Sequence, residues 1–371
     1  MTKNNFDTII DFGSKEISAC SFFKGSDTIK YSKKIYSENR LYNFNEEKQF
    51  QELDELILDI EKNNKEHLDQ ITLMIDTSKM FNISFSIFKK VDNIKINEKL
   101  VHNLILDAKQ EVLNSYKDFE ILHLIVLNYR IDNKFFNKLP KNLDCEKISL
   151  ELIFISLPKY HLNLLKKIFS KSNIIINKLI SSSYAKSIFY NKKLAYENQI
   201  GFINIDYDKT GIFYFDKRKF CNYETIPVGS KHIESDISKI LKINLSEAEE
   251  IKRNFEDDNF KKKNYDFELI KKIIFSRIEE ILELSIKLFR EKNMLNSTKL
   301  IFLGEGSKIL DNKFKSNIVF NHDIDLLDEE DFDVCKAGLN LMNDNEIQEV
   351  EIVSRNHQNK GIFEKFFNLF S

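Results

Sequence analysis

The sequence predicts an α/β protein in which one strand–turn–strand unit occurs twice, with a small α+β domain inserted in its first half and an amphipathic helix at its C-terminus. Three observations predict this. Short apolar runs alternate with segments whose apolar residues recur every three or four positions. The run Ile10-Asp11-Phe12-Gly13-Ser14 has a counterpart in Ile203-Asn204-Ile205-Asp206-Tyr207. Each is followed across a turn by a second apolar strand, at 17–23 and 211–215, so the pattern is an internal repeat. Between 82 and 161 the order becomes strand, helix, strand, strand, which fits a separate α+β insertion.

The elements follow in order. Residues 8–12 and 17–23 form a hairpin, closed at Lys24-Gly25-Ser26 by a further turn. Phe50, Leu53, Leu56, Ile57 and Ile60 place a helix over 46–63, and Ile71-Thr72-Leu73-Met74-Ile75 is a buried strand ending at Asp76. In the insertion, Ile83, Phe85 and Ile87 alternate as a strand. Leu100, Leu104, Ile105 and Ala108 share a helix face over 97–115, strands follow at 120–130 and 147–156, and a helix comes next at 158–171. The second half opens at Gly201. Its next strand ends at Ile226-Pro227-Val228-Gly229, and helices follow at 231–242, 246–255 and 266–293. Strand 300–303 runs into Gly304-Glu305-Gly306-Ser307, and a last helix covers 333–343. The expected organisation is therefore 1–81 and 162–197 as the first half, 82–161 as the insertion, 198–343 as the second half with a return to the first, 344–360 as a polar linker, and 361–371 as a terminal helix.

Composition excludes several classes. Hydrophobic residues at 42% and charged residues at 31% of 371 are those of a folded chain, and the length suits two to four domains at roughly 100–200 residues each. With 56 basic and 58 acidic residues there is no basic field for nucleic acid, and Lys261-Lys262-Lys263 is too short a run to supply one. The 4 cysteines form no C-x-x-C pair and read as small buried hydrophobes of a reducing compartment. No metal-ligand spacing is present, and the acidic stretch 323–333 reads as surface. Residues 1–10 lack the apolar core of a secretory signal, and no run of ~18 apolar residues exists to cross a bilayer. Glycine is scarce: 9 in the chain, where an average of about 7% would give about 26. That argues against a full set of glycine-rich phosphate loops.

Three loops nevertheless stand at strand ends: Asp11-Phe12-Gly13-Ser14, residues 204–210, and Gly304-Glu305-Gly306-Ser307. In order and separation they resemble the two phosphate loops and the adenosine loop of the actin-like ATPase superfamily, whose core is a duplicated ribonuclease H-like fold. Ile226-Pro227-Val228-Gly229-Ser230, Ala248-Glu249-Glu250-Ile251-Lys252 and Arg277-Ile278-Glu279-Glu280-Ile281 resemble further stretches of it. Tyr129-Arg130-Ile131-Asp132, Pro140 and Leu150-Glu151-Leu152 resemble the small SHS2-like domain of one branch, the bacterial cell-division protein FtsA. The resemblance implies ATP, with Mg2+, as the ligand of Asp11, Gly13, Ser14, Lys209, Thr210, Gly229, Gly304, Gly306 and Ser307. It also implies FtsZ, later divisome proteins, inner-membrane lipids and further copies of the chain as partners, at the cytoplasmic face of the inner membrane at the septum. Lys271, Lys272 and Arg277 would receive the acidic, hydrophobic C-terminal peptide of FtsZ. A non-enzymatic adaptor is the implied role. A pilus-assembly scaffold and an actin-superfamily ATPase or kinase are the alternatives.

The chain departs from the family at its phosphate chemistry. Where Asp-Ile-Gly-Gly-Gly-Thr-Thr-Asp is usual it has Asn204-Ile205-Asp206-Tyr207-Asp208-Lys209-Thr210-Gly211. Glycines that let backbone approach a phosphate are gone. At 4 Å two like unit charges repel by about 1–4 kcal/mol, so Asp206 and Asp208 oppose a polyanion, with Lys209 the offsetting cation. Glu305, Ser230 and Glu16 replace a glycine, a glycine and a lysine. The expectation is an actin-like fold with ATP handling weakened or lost.

Residues 361–371 carry a clear physical signal. At about 100° per residue Ile362, Phe363, Phe366, Phe367, Leu369 and Phe370 share an arc of about 160°, opposite Glu364, Lys365, Asn368 and Ser371. Such a helix is too short to span a bilayer and suited to lie in its interface, with Arg355 and Lys360 toward anionic headgroups.

Overall fold

The computed structural model describes residues 5–36, 46–140, 143–195, 198–255, 265–291, 298–310, 324–344 and 349–350. The Lys261-Lys262-Lys263 run and the expected terminal helix, Ile362, Phe363, Phe366, Phe367, Leu369 and Phe370 included, lie outside the described residues. The chain forms two compact units, one from residues up to Phe189 together with those from Val334, the other from Tyr190–Asp333.

The first unit is built on a five-stranded sheet. Strands β1 (Phe6–Phe12), β2 (Glu16–Phe23) and β3 (Ile29–Tyr36) form an antiparallel meander. Strand β4 (Gln70–Ile75) then pairs parallel with β1, placing Asp11 opposite Met74. Helix α1 (Glu46–Asn64) connects β3 to β4. Within β1 the last five positions are buried, and in β4 all but the first, so both strands lie inside the unit, carrying the polar Thr8, Asp11 and Thr72 among apolar residues.

The chain then leaves for a second, four-stranded sheet, ordered β5-β8-β6-β7. It comprises β5 (Phe81–Lys95), β6 (Phe119–Ile131), β7 (Lys134–Phe136) and β8 (Asp144–Pro158), all paired antiparallel. Helix α2 (Glu98–Ser115) covers it. Its start is set by Asn97, whose side chain accepts from the Leu100 amide, and Leu100, Val101, Leu104, Ile105, Ala108 and Val112 face the sheet.

Helix α3 (Lys159–Lys171) leads back to β9 (Ile175–Ser181), which completes the first sheet in the order β3-β2-β1-β4-β9, and α4 (Ser182–Leu194) follows. Sequence periodicity missed α4 because it is buried almost all round and shows no polar face to alternate with. It missed β3 because Lys30, Lys33 and Lys34 obscure the apolar alternation, a charge pattern typical of an exposed sheet edge.

The second unit repeats the first. Strands β10 (Ile200–Ile205), β11 (Thr210–Asp216) and β12 (Lys219–Ile226) form the meander, and β13 (Lys299–Leu303) and β14 (Ile324–Leu326) pair parallel beyond β10. The order β12-β11-β10-β13-β14 has the same connectivity as β3-β2-β1-β4-β9. Helices α5 (Lys231–Leu241), α6 (Leu245–Asn254) and α7 (Phe267–Glu291) pack an apolar core against it, including Ile233, Ile237, Ile251, Ile274, Ile281 and Phe302. Helix α8 (Asp333–Asn343) packs on the first sheet, with Cys335 Sγ 3.7 Å from Ser18 O and Thr72 Oγ1 3.0 Å from Met342 Sδ.

Two sequence readings need correction. Residues 344–360 are not wholly a linker. Glu349 bridges Ile125 at the β6 edge, the Val350 amide donates to Leu124 O at 2.8 Å, and Val350 joins the core of the inserted sheet. The acidic stretch 323–333 is not wholly surface. Asp333 is 2% exposed and accepts from Tyr190 Oη at 2.6 Å, and Glu329 accepts from the Gly304 amide at 2.6 Å. In both places an alternation of acidic and apolar residues hides local pairing from a reading by composition.

Candidate functional site

The three strand-end loops fall in two groups. In the first unit, β1, β4 and β9 run parallel, and their C-terminal ends meet the start of α4. Asp11 ends up buried there, and the Ser182 hydroxyl donates to its Oδ1. Asp76, one residue past β4, accepts from the Ser183 amide at 2.7 Å. Lys186 is buried one turn further along α4. Burial is the main cause that pushes the Asp11 carboxyl up to about 7. The Ser182 hydrogen bond opposes it, Glu16 adds to it, Lys186 opposes it and Asp76 adds to it. Gly13 and Ser14 form the half-buried turn after β1. The sequence reading named Asp11 but not Asp76, Ser182, Ser183 or Lys186. The available signal was Asp76 directly after an apolar strand and the serine run 181–183 before Tyr184, a helix-start pattern.

In the second unit, three segments converge at the ends of β10 and β13. A Cβ on Gly229 would lie 2.5 Å from Tyr207 O and 2.6 Å from Asp206 O, so only glycine admits this approach. Gly304 has φ of +93°, and a Cβ there would lie 2.5 Å from Ile205 O. Thr210 Oγ1 donates to Val228 O at 2.7 Å, and Ser307 Oγ donates to Gly304 O at 2.7 Å. Gly306 packs against Ile205 and Ser230. The residues named from sequence for this half are thus gathered at one place, and they serve the loop junction itself.

A helix N-terminus such as that of α5 can bind a phosphate through its free amides. Here the amides are engaged within the chain. Gly229 N donates to His232 Nδ1, Ser230 N to Asp206 O, Lys231 N to Tyr207 O and His232 N to Gly229 O, at 2.9–3.1 Å. The Gly304 amide is held by Glu329. Asp208 pairs with Lys231 at 2.7 Å, and Asp206 accepts from Asn204. Lys209 is 1% exposed, and its ammonium donates to the buried Tyr223 Oη at 3.2 Å. The amides at the start of α5 and at Gly304 are thus engaged within the chain.

The Ala-Glu-x-x-Lys stretch has a role inside the same unit. Lys252 Nζ on α6 pairs at 2.5 Å with Glu234 of α5, a carboxylate 2% exposed that also accepts from Tyr207 Oη at 3.2 Å. Burial and the Glu234 charge together raise the Tyr207 hydroxyl pKa well above its ordinary value. On α7, Arg277 is already bound through Nε and Nη2 to Asp236, at 2.8 and 2.6 Å, and through Nη1 to Glu280. Lys271 lies 5.4 Å from the Phe275 ring centroid, and Lys272 is exposed. Of the three residues expected to meet an acidic peptide, Arg277 is therefore occupied by the chain's own carboxylates. Among the described residues no group of acidic, histidine and cysteine side chains could hold a metal ion, and no helix is long and apolar enough to cross a membrane.

Residues 202–294 match the family model of Cell division protein FtsA. The Cell division protein FtsA of Helicobacter pylori is 23% identical over 143 residues, 38% of this chain and 29% of that relative's length. The chain thus matches less than a third of the curated relative. Among solved structures, the PilM-PilN type IV pilus biogenesis complex is similar over 99% of this chain and 98% of the matched one, with TM-score 0.62 and 13% identity. The ethanolamine utilization protein EutJ of Carboxydothermus hydrogenoformans follows at TM-score 0.54, with 12% identity and coverage of 91% and 89%. MreB5 of Spiroplasma citri, solved bound to ADP, has TM-score 0.50 with 10% identity and coverage of 91% and 99%. The chain has the actin-like ATPase fold, and its second unit carries the likeness to the FtsA cell-division proteins.

Proposed function

We propose that this chain is a cell-division adaptor that tethers FtsZ filaments to the cytoplasmic face of the inner membrane at the septum and recruits later division proteins. The match of residues 202–294 to FtsA carries the reading. The amphipathic pattern of residues 361–371 supports its membrane half. Burying a large apolar side chain contributes about 1.5–3 kcal/mol, and ordering a short helix consumes much of that, so one tail binds weakly. A filament of copies presents many tails and many partner sites, and linked weak contacts become tight. The engaged amides at the start of α5 support a mechanism that runs without nucleotide turnover.

The FtsZ half has a direct test. A fluorescent peptide with the acidic, hydrophobic C-terminal sequence of FtsZ is titrated with the full chain and read by anisotropy. Saturable binding, weakened at least ~10-fold when Lys271→Glu and Lys272→Glu remove the available cations of α7, supports the tether. An unchanged Kd would move the peptide site elsewhere. No binding would favour the second reading, a pilus-assembly scaffold, which the full-length likeness to the PilM-PilN complex supports at the level of fold.

A further inference from the structure

We infer that the β6 edge beside His123 is a docking surface for the chain's own C-terminal segment, and that this clasp limits the reach of residues 361–371. Strand β6 is covered on one side by β8 along its length, and on the other by β7 only at Tyr129–Ile131. Further back on that open side, Glu349 bridges Ile125 antiparallel and the Val350 amide donates to Leu124 O. Val350 is 7% exposed in the apolar core of the insertion. One backbone bond, one buried valine and one side-chain hydrogen bond to Glu349 therefore seat this segment.

The hydrogen bond between His123 and Glu349 is specific. His123 is fully buried, with Nδ1 2.7 Å from Glu349 Oε1 and its ring centroid 4.7 Å from that of Tyr184. Its Nε2 accepts from the Ser181 amide at 2.8 Å, so the proton of the neutral ring sits on Nδ1 and points at the Glu349 carboxylate. Ser181 directly precedes Ser182 and Ser183, which hold Asp11 and Asp76. The clasp is thus braced on the same turn as the buried carboxylates. The sequence Asn345-Glu346-Ile347-Gln348-Glu349-Val350 provides the acceptor next to an apolar residue.

The consequence concerns distance and rests on the membrane reading above. With the clasp closed, the tether to residues 361–371 starts at Val350. With it open, the tether starts at the end of α8, which adds about 25 Å of extended chain at ~3.5 Å per residue. A closed clasp holds the folded body near the bilayer.

Hydrogen exchange on the full-length chain in solution tests the clasp without any membrane. The Val350 amide is expected to be protected in the wild type, and its protection to fall at least ~10-fold in Glu349→Ala, while amides of β8 and α4 keep theirs. Val350→Asp is the second variant, removing the apolar half without touching His123. An unprotected Val350 amide in the wild type, or unchanged protection in Glu349→Ala, would overturn the proposal. Neutron reflectometry on a supported phosphatidylglycerol–phosphatidylcholine bilayer reads the reach, with the Glu349→Ala protein layer expected up to ~20 Å further out. Equal layer positions overturn the limit on reach while the exchange data still judge the clasp. Failure of both proteins to bind the bilayer instead removes the membrane reading.

Discussion

Asp11 makes a prediction whose sign runs opposite to that of most carboxylates. Its folded pKa is raised to about 7, chiefly by burial, against an unfolded value of ~3.9. Between those values the folded state binds more protons than the unfolded state, so stability falls as pH rises through the window. Roughly 3 pK units correspond to at most about 4 kcal/mol. Asp11→Asn is neutral at every pH and can still accept from Ser182. The difference in Tm between Asp11→Asn and wild type is therefore expected to be small near pH 4 and to grow in favour of the variant up to pH 8. A difference that is flat with pH would show that Asp11 is ionised and well solvated in the folded protein. The position of Asp11 at a strand end was legible in the sequence. Its partners were not, because Asp76 and Ser182 lie far from it along the chain and are joined to it only by the parallel pairing of β1, β4 and β9.

At the scale of the element, helices with one polar face were legible. The apolar residues Leu100, Leu104, Ile105 and Ala108 gave α2, and α7 followed from the same spacing. Helix α4 was not legible, since a helix buried on nearly every side leaves no contrast for periodicity to detect. The start of α5 shows a second limit. Gly229 survives among lost glycines, which sequence reading takes as a remnant of phosphate binding. In the fold it is kept because the carbonyls of Asp206 and Tyr207 pass within 2.6 Å of where a Cβ would stand. The amphipathic pattern of residues 361–371 makes its own prediction. Phe366→Glu places a charge in the middle of the apolar arc, where insertion into an interface costs several kcal/mol, and co-sedimentation with anionic vesicles is expected to be lost. Retained binding would mean that residues 361–371 do not anchor the chain.

At the scale of the molecule, the duplication was legible from two five-residue runs, and the two sheets carry it in full through identical strand connectivity. What the fold retains and what its loops have lost separate two properties usually found together. The actin-like framework is present, while the amides at the start of α5 bind the chain's own carbonyls and His232. An adaptor that acts through linked weak contacts needs the framework and not the turnover. Co-flotation of FtsZ with anionic liposomes is the most direct measurement of that account, run with and without this chain, with and without its residues 361–371, and with and without ATP. FtsZ is expected to float only with the complete chain, to the same extent whether or not ATP is present. Flotation of this chain without FtsZ, or recruitment that requires ATP, would contradict it.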